Sequence, residues 1–217
     1  MDYDAARHMM VEAQLRTNRV VDPALLTALE SVPREIFVPK QLAGGAYIDG
    51  PVPVGNGRAL MEPMVFGRLL QSAEIKPTDV VLDIGCASGY SAAVLSYVAS
   101  TVVALESDSE LAGRASAALA SLKVDNVAVV TGNLHDGDPS HGPFDVIILE
   151  GQVAAVPEAI LNQLADQGRL LAVVDDGTGL GRATLYSRFG DAYSHRVIFD
   201  ATAPRLPGFV APARFAF

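Results

Sequence analysis

Two acids, Asp83 and Glu106, sit where carboxylates could take part in ligand chemistry. Asp83 follows Val80, Val81 and Leu82, a short apolar run of the kind that forms a strand buried on both faces. Gly85, Ala87 and Gly89 follow it at alternate positions. Tyr90 to Val98 then reads as a helix with Ala93, Val94 and Tyr97 on one face, and Thr101 to Leu105 is a second buried-strand run that closes on Glu106. Strand, glycine turn, helix, strand and terminal acid together make the first half of a nucleotide-binding βαβ unit.

Charge selects among the ligands such a turn can serve. A dinucleotide would put a pyrophosphate at the helix N-terminus, where free N–H groups and the helix dipole favour anions. Asp83, two residues before the first glycine, would repel those phosphates but suits a ligand carrying an ammonium and a sulfonium. Glu106, at the tip of the second strand, is placed to accept both hydroxyls of a ribose through its two oxygens. S-adenosylmethionine has these groups and no phosphate, which makes it the preferred cofactor.

Asp83, Gly85, Ala87, Gly89 and Glu106 resemble the first two cofactor motifs of class I methyltransferases, with Ala87 where many members have a middle glycine. A narrower resemblance lies upstream. MVEAQL at 10–15, VPREIFVP at 32–39 and AYIDGPVPVGNG at 46–57 are similar, in order and spacing, to the N-terminal region of protein-L-isoaspartate O-methyltransferases, and the likeness runs from Met10 to Val174. It implies O-methylation of isoaspartyl carboxylates in damaged proteins. It also implies an adenine contact at Asn133 and Leu134, which follow a third strand, Val127 to Thr131. Methyltransferases often have an acid there; Asn133 keeps an acceptor oxygen but is equally suited to capping a turn.

The acceptor side departs from the family. Its Thr-Ile-Ser-Gln-Pro motif is replaced by Ala59, Leu60, Met61, Glu62 and Pro63, so the family's serine falls on Met61, with Leu60 and Glu62 beside it. A thioether donates no hydrogen bond, and this leaves the catalytic residue unassigned. Glu62 at about 4 Å from an acceptor carboxylate would repel it by ~4 kcal/mol before screening. Its other reading is a first-turn residue of a helix starting at Pro63, where a negative side chain complements the dipole. Glu150, after a fourth strand Phe144 to Leu149, is a second unexpected acid, either at the acceptor mouth or on a solvent-facing loop.

Other segments frame these residues. Asp4 to Arg16 reads as a helix with Asp4 as a candidate cap and Met9, Met10, Ala13 and Leu15 inward. Asp22 and Pro23 open another, with Leu25, Leu26 and Leu29 as its stripe and Pro33 beyond its end. The 46–57 stretch is too rich in Pro and Gly to be regular, and a segment of that length tends to cover or line a site. Ser109 is the expected cap of the next helix, with Leu111, Ala115, Ala118, Leu119 and Leu122 at helical spacing. Pro157 to Leu164 reads as a helix, and Gly168 to Val174, Ala183 to Phe189 and Arg196 to Phe199 as strands. Asp136 to Pro143 reads as a surface turn, the glycine repeat at 175–182 as a connection, and Phe215 and Phe217 as tail-docking aromatics.

Composition limits the alternatives. The 217 residues are half hydrophobic, with mean hydropathy +0.27, enough for one large core. A net charge of −9 without a Lys/Arg cluster argues against nucleic acid. Cys86 is the single cysteine, which excludes a disulfide framework and a cysteine-cluster zinc site, and His8, His135, His141 and His195 have no metal-ligand spacing. No apolar run reaches a membrane span and the N-terminus lacks a secretion signal, so a cytoplasmic protein is expected.

The expectation is a single α/β domain over residues 1–217, a Rossmann-like seven-stranded sheet with helices on both faces in the class I methyltransferase fold. An N-terminal helical and acceptor-side segment (1–75) precedes the cofactor-binding sheet (76–217). An isoaspartyl-containing protein is the expected partner. Two alternatives stay open: a methyltransferase for another acceptor, favoured by Glu62 and Glu150, and a cofactor-binding sensor without catalysis, favoured by Met61.

Overall fold

A computed structural model describes residues 1–175, 177 and 179–209. Phe215 and Phe217 lie outside the described residues, as do Asp176 and Thr178 of the second glycine repeat. Helix α1 (Tyr3–Met10) runs into a π-helical turn at Val11–Leu15; α2 is Pro23–Ser31. A short hairpin, β1 (Val52–Gly55) and β2 (Arg58–Leu60), precedes α3 (Pro63–Ala73). The sheet is then built from β3 (Val80–Ile84), β4 (Thr101–Glu106), β5 (Val127–Thr131), β6 (Phe144–Val153), β7 (Leu164–Val174), β8 (Arg182–Phe189) and β9 (Ala192–Asp200). Helices α4 (Tyr90–Leu95), α5 (Ser109–Ser121) and the one-turn α6 (Glu158–Leu161) connect them.

The seven strands lie in the order β5-β4-β3-β6-β7-β8-β9, parallel through β7 and antiparallel for the last two. The chain winds outward from β3 through β4 to β5, then returns to the other side of β3 with β6. Such a reversal opens a crevice at the carboxyl ends of the central strands. Register levels those ends: Ile84 pairs with Leu105 of β4 and with Leu149 of β6. One face packs residues from α1 to α5 into a large core; the other buries Leu82, Ile84, Phe144, Ile147 and Leu170 under α6 and the tail residues Leu206 and Phe209.

Several elements differ from the sequence expectations, each for a local reason. Asp2, not Asp4, caps α1 by accepting from Ala5 N, and the π-helical turn shifts the stripe so that Met10, Val11 and Leu15 are buried while Met9 and Ala13 are exposed. Asp108, not Ser109, caps α5, accepting from the N–H groups of Glu110 and Leu111 at 3.0 Å. Helix α4 stops at Leu95, which leaves Tyr97 exposed rather than inward. The expected helix over 157–164 shrinks to Glu158–Leu161 because Leu164 already opens β7. The 46–57 stretch is partly regular, since Val52–Gly55 forms a strand against Arg58–Leu60.

The cap at Asp22 holds as read: its carboxylate accepts from Ala24 N and Leu25 N, with Pro23 in the first turn. Among the described residues no helix is long and apolar enough to cross a membrane, and no cluster of three His, Cys, Asp or Glu side chains could hold a metal ion.

Candidate functional site

The crevice at the ends of β3, β4 and β6 collects the residues that sequence spacing singled out. The turn after β3 is backbone-driven. Gly85 (φ +85°) and Gly89 (φ +94°) take the left-handed conformation that side chains disfavour. A Cβ on Gly89 would come within 3.0 Å of the Ala115 backbone, so this glycine is what lets α5 pack on the turn. Ala87 is also left-handed (φ +50°), the position where a glycine is the commoner choice, and its N–H donates to Glu106 Oε2 at 2.8 Å. Ser88 fastens the turn to the N-terminal segment by donating to the Phe37 carbonyl. Cys86 is buried, and burial pushes its thiol well up, consistent with packing rather than reactivity.

Asp83 is fully buried at the end of β3. Its Oδ2 accepts from Ser91 Oγ at 2.6 Å and its Oδ1 has no partner among the described residues. Burial pushes the carboxyl up to about 7, the Ser91 bond and Arg58 opposing and Glu106 reinforcing that rise. Two further buried polar atoms without partners, Glu150 Oε1 and Tyr90 Oη, belong to residues lining a small cavity beside Gly85, along with Arg34, Met61 and Ser91. Its volume is only about 10 Å³, room for one water at most.

Glu150 is a correction to the loop reading. Strand β6 continues to Val153, well past Leu149, so Glu150 is a strand residue; burial, then the neighbouring Asp83, hold its carboxyl well above the usual range. The continuation is paired on both sides: Gln152 and Val153 lie opposite Val173 and Val174 of β7, and in the tail Gln152 N donates to the Pro204 carbonyl (2.8 Å) and Leu206 N to the Gln152 carbonyl (2.9 Å).

Glu106 is buried at the tip of β4, and its partners are the least expected feature of the site. Arg58 Nη1 donates to Oε1 at 2.9 Å and to Oε2 at 2.8 Å, while Nη2 donates to the Gly85 carbonyl at 2.6 Å. Leu206 closes over the same point, so that a Cβ on Gly85 would stand 2.5 Å from Leu206 Cδ1 and 2.8 Å from Arg58 Nη2. Arg58 rides on the β1–β2 hairpin, which is tied to α5 by Arg114 donating to the Val54 carbonyl and by Asn56 donating to Asp108. Sequence reading passed over both covering residues. Arg58 had one available signal: it is the only Lys or Arg between Lys40 and Arg68.

The acceptor-motif residues divide between core and surface. Leu60 and Met61 are buried, and the Met61 carbonyl accepts from Arg34 Nη2 at 2.7 Å. Glu62 occupies the cap position of α3 without making a capping bond, half-buried at the edge of an apolar groove of about 460 Å³ formed with Pro51, Pro53, Ala59 and residues 202–204. Burial and then Asp49 raise its carboxyl. Asn133 is exposed and caps the 134–136 turn, its Oδ1 accepting from His135 N at 3.1 Å, while Leu134 is buried against the core.

This geometry has a known family behind it. Residues 6–200 match the model of the protein-L-isoaspartate(D-aspartate) O-methyltransferase family. The chain belongs to that family. A relative from Methylorubrum populi named protein-L-isoaspartate O-methyltransferase is 38% identical over 193 residues, 89% of this chain and 91% of that protein. One of the same name from Synechococcus is 39% identical over 80% of this chain and 71% of its own length. Two solved structures share the fold. A protein-L-isoaspartate O-methyltransferase matches with TM-score 0.82 at 22% identity, over 93% of this chain and 66% of that one. A putative Plasmodium falciparum member, in complex with S-adenosyl-L-homocysteine, matches with TM-score 0.76 at 20% identity over 92% and 97%. The seven-stranded sheet is thus the class I methyltransferase fold of this enzyme family.

Proposed function

We propose that the chain is an S-adenosylmethionine-dependent O-methyltransferase of isoaspartyl carboxylates in proteins, working in the cytoplasm as one domain. In this reading residues 1–75 face the acceptor and 76–217 carry the cofactor sheet. The observation that supports it most is the pair of buried carboxylates, Asp83 and Glu106, at the level ends of adjacent parallel strands with a glycine turn between them. Asp83 keeps one buried oxygen without a partner, which is the donor-seeking atom an ammonium or sulfonium neighbourhood calls for. The residue types therefore suit the cofactor, while the volume over Gly85 is taken by Arg58 and Leu206 and has to be vacated.

The cofactor, when bound, supplies a methyl group activated by a positive sulfur. The chain's part is placement. Gly85 leaves its backbone open to close approach, Glu106 offers two acceptor oxygens for a ribose, and Asn133 and Leu134 border the adenine end. An acceptor carboxylate is already ionised near neutral pH, so no general base has to be assigned; alignment and exclusion of water suffice. Met61, an apolar core residue, leaves the orientation of the acceptor to backbone groups of the 54–60 hairpin. Glu62 and Glu150 then tune which carboxylates are admitted.

Transfer of a radiolabelled methyl group to an isoaspartyl peptide tests the proposal, with the matching aspartyl peptide as control. Label on the isoaspartyl peptide alone is the expected result. Label on neither peptide, with label on other components of a cell extract, would replace the acceptor in this reading.

A further inference from the structure

We propose that Arg58 is a built-in competitor for the cofactor: its guanidinium holds the acceptor oxygens of Glu106 and the ground above Gly85, so that Arg58, assisted by Leu206, sets the affinity for S-adenosylmethionine. The inference rests on the cofactor reading above and concerns what stands in its way.

Acceptor positions on Glu106 are few and already taken. A carboxylate offers roughly four lone-pair positions. Glu106 Oε1 already accepts from Ser107 N (2.8 Å), Ser107 Oγ (3.2 Å) and Asp108 N (3.1 Å), and Oε2 from Ala87 N (2.8 Å). Arg58 Nη1 reaches both oxygens as well, so six contacts already crowd the roughly four positions. A ribose diol needs the same positions. Arg58 and a ribose on Glu106 are therefore mutually exclusive.

Charge and volume act in the same direction. The ligand brings positive charge to a crevice where Arg58 already balances the acids, so each cation is disfavoured by the other. Leu206 Cδ1 and Arg58 Nη2 together leave no room for a single carbon above Gly85. Release does not require the hairpin to unfold. The hairpin backbone is held on α5 through Val54 and Asn56, and only the long Arg58 side chain has to swing outward to water.

Population sets the size of the effect. If the covered form accounts for nine-tenths of the molecules, the apparent Kd is raised about tenfold over that of the open form, and it rises further as the inverse of the open fraction. Removing the guanidinium removes that factor, whereas trimming Leu206 removes only the steric part.

Calorimetric titration of the full chain with S-adenosylhomocysteine tests this, comparing the wild type with Arg58→Gln and Leu206→Ala after circular dichroism has shown each to be folded. The expected result is a Kd at least tenfold lower for Arg58→Gln and several-fold lower for Leu206→Ala, with a larger ligand-induced rise in Tm for both. A Kd in Arg58→Gln equal to or weaker than wild type overturns the proposal, because Arg58 would then be neutral towards the ligand or one of its contacts. Should Arg58→Gln not fold, Leu206→Ala decides: tighter binding supports the proposal and unchanged binding overturns it. Absence of binding by every chain at millimolar ligand removes the cofactor reading itself, an outcome distinct from equal, measurable affinities.

Discussion

Arg58 lays one guanidinium nitrogen across both carboxylate oxygens of Glu106, at 2.9 and 2.8 Å, and the two side chains are 4% and 0% exposed. A charge pair this deeply buried contributes little net stability as a pair, since desolvation offsets the attraction, but removing one partner strands the other.

Glu106→Gln should therefore cost about 3–5 kcal/mol of folding stability, because it leaves the Arg58 charge buried without a counter-ion. Urea denaturation measures it as a fall in midpoint. A change below about 1 kcal/mol would mean that Arg58 is solvated by water in solution.

Gly89→Ala should destabilise the chain by on the order of 2–4 kcal/mol, combining a left-handed backbone with a Cβ pressed against α5. The φ of +94° and the 3.0 Å approach to the Ala115 backbone are the basis. Thermal unfolding should show a clear drop in Tm, and an unchanged Tm would contradict the close packing of α5 on the turn.

Asp83 links stability to pH. Its folded pKa, about 7, is above the unfolded value near 3.8, so the folded chain binds more protons between those limits and loses stability as pH rises through them. The full effect is on the order of 4 kcal/mol, present below pH 4 and gone above pH 7. Asp83→Asn should flatten this slope. Denaturation midpoints measured from pH 4 to 8 would contradict the assignment if wild type and variant ran parallel.

Glu62→Gln should lower the KM for an isoaspartyl peptide roughly tenfold at low ionic strength, with kcat little changed, because it removes a carboxylate facing an anionic acceptor. Glu62 is half-buried, so the repulsion is partly screened, and the gain should shrink in about 0.5 M salt. A KM that did not move would place the acceptor away from the apolar groove at Pro51 and Pro53.

The parts of this site that were legible are those written in local sequence. Asp83 and Glu106 each end a buried-strand run, and the glycine spacing fixes the turn between them, so strand, turn and acid could be read together. Leu60, Met61 and Glu62 were legible as departures from a motif, though not as two core residues and one groove residue. Of the two readings of Glu150, the solvent-facing loop failed because β6 runs on beyond Leu149, with Gln152 opposite Val173 of β7 and bonded to Pro204 and Leu206 of the tail, and local periodicity carries no trace of such pairing. The short α6 and the exposed Tyr97 have a similar origin: apolar spacing continued past the point where the next strand or turn ended the helix. Arg58 stood out only as a lone cation in its stretch, because its role arises between a hairpin and a strand tip 48 positions apart.

A crystal structure of the chain with S-adenosylhomocysteine decides whether Arg58 yields Glu106 to the ligand. Both ribose hydroxyls should lie on the Glu106 carboxylate, with Asp83 facing the amino-acid end and the Arg58 side chain turned out of the crevice. Arg58 still spanning Glu106, with Leu206 over Gly85 and ligand absent from the turn at saturating concentration, would contradict it.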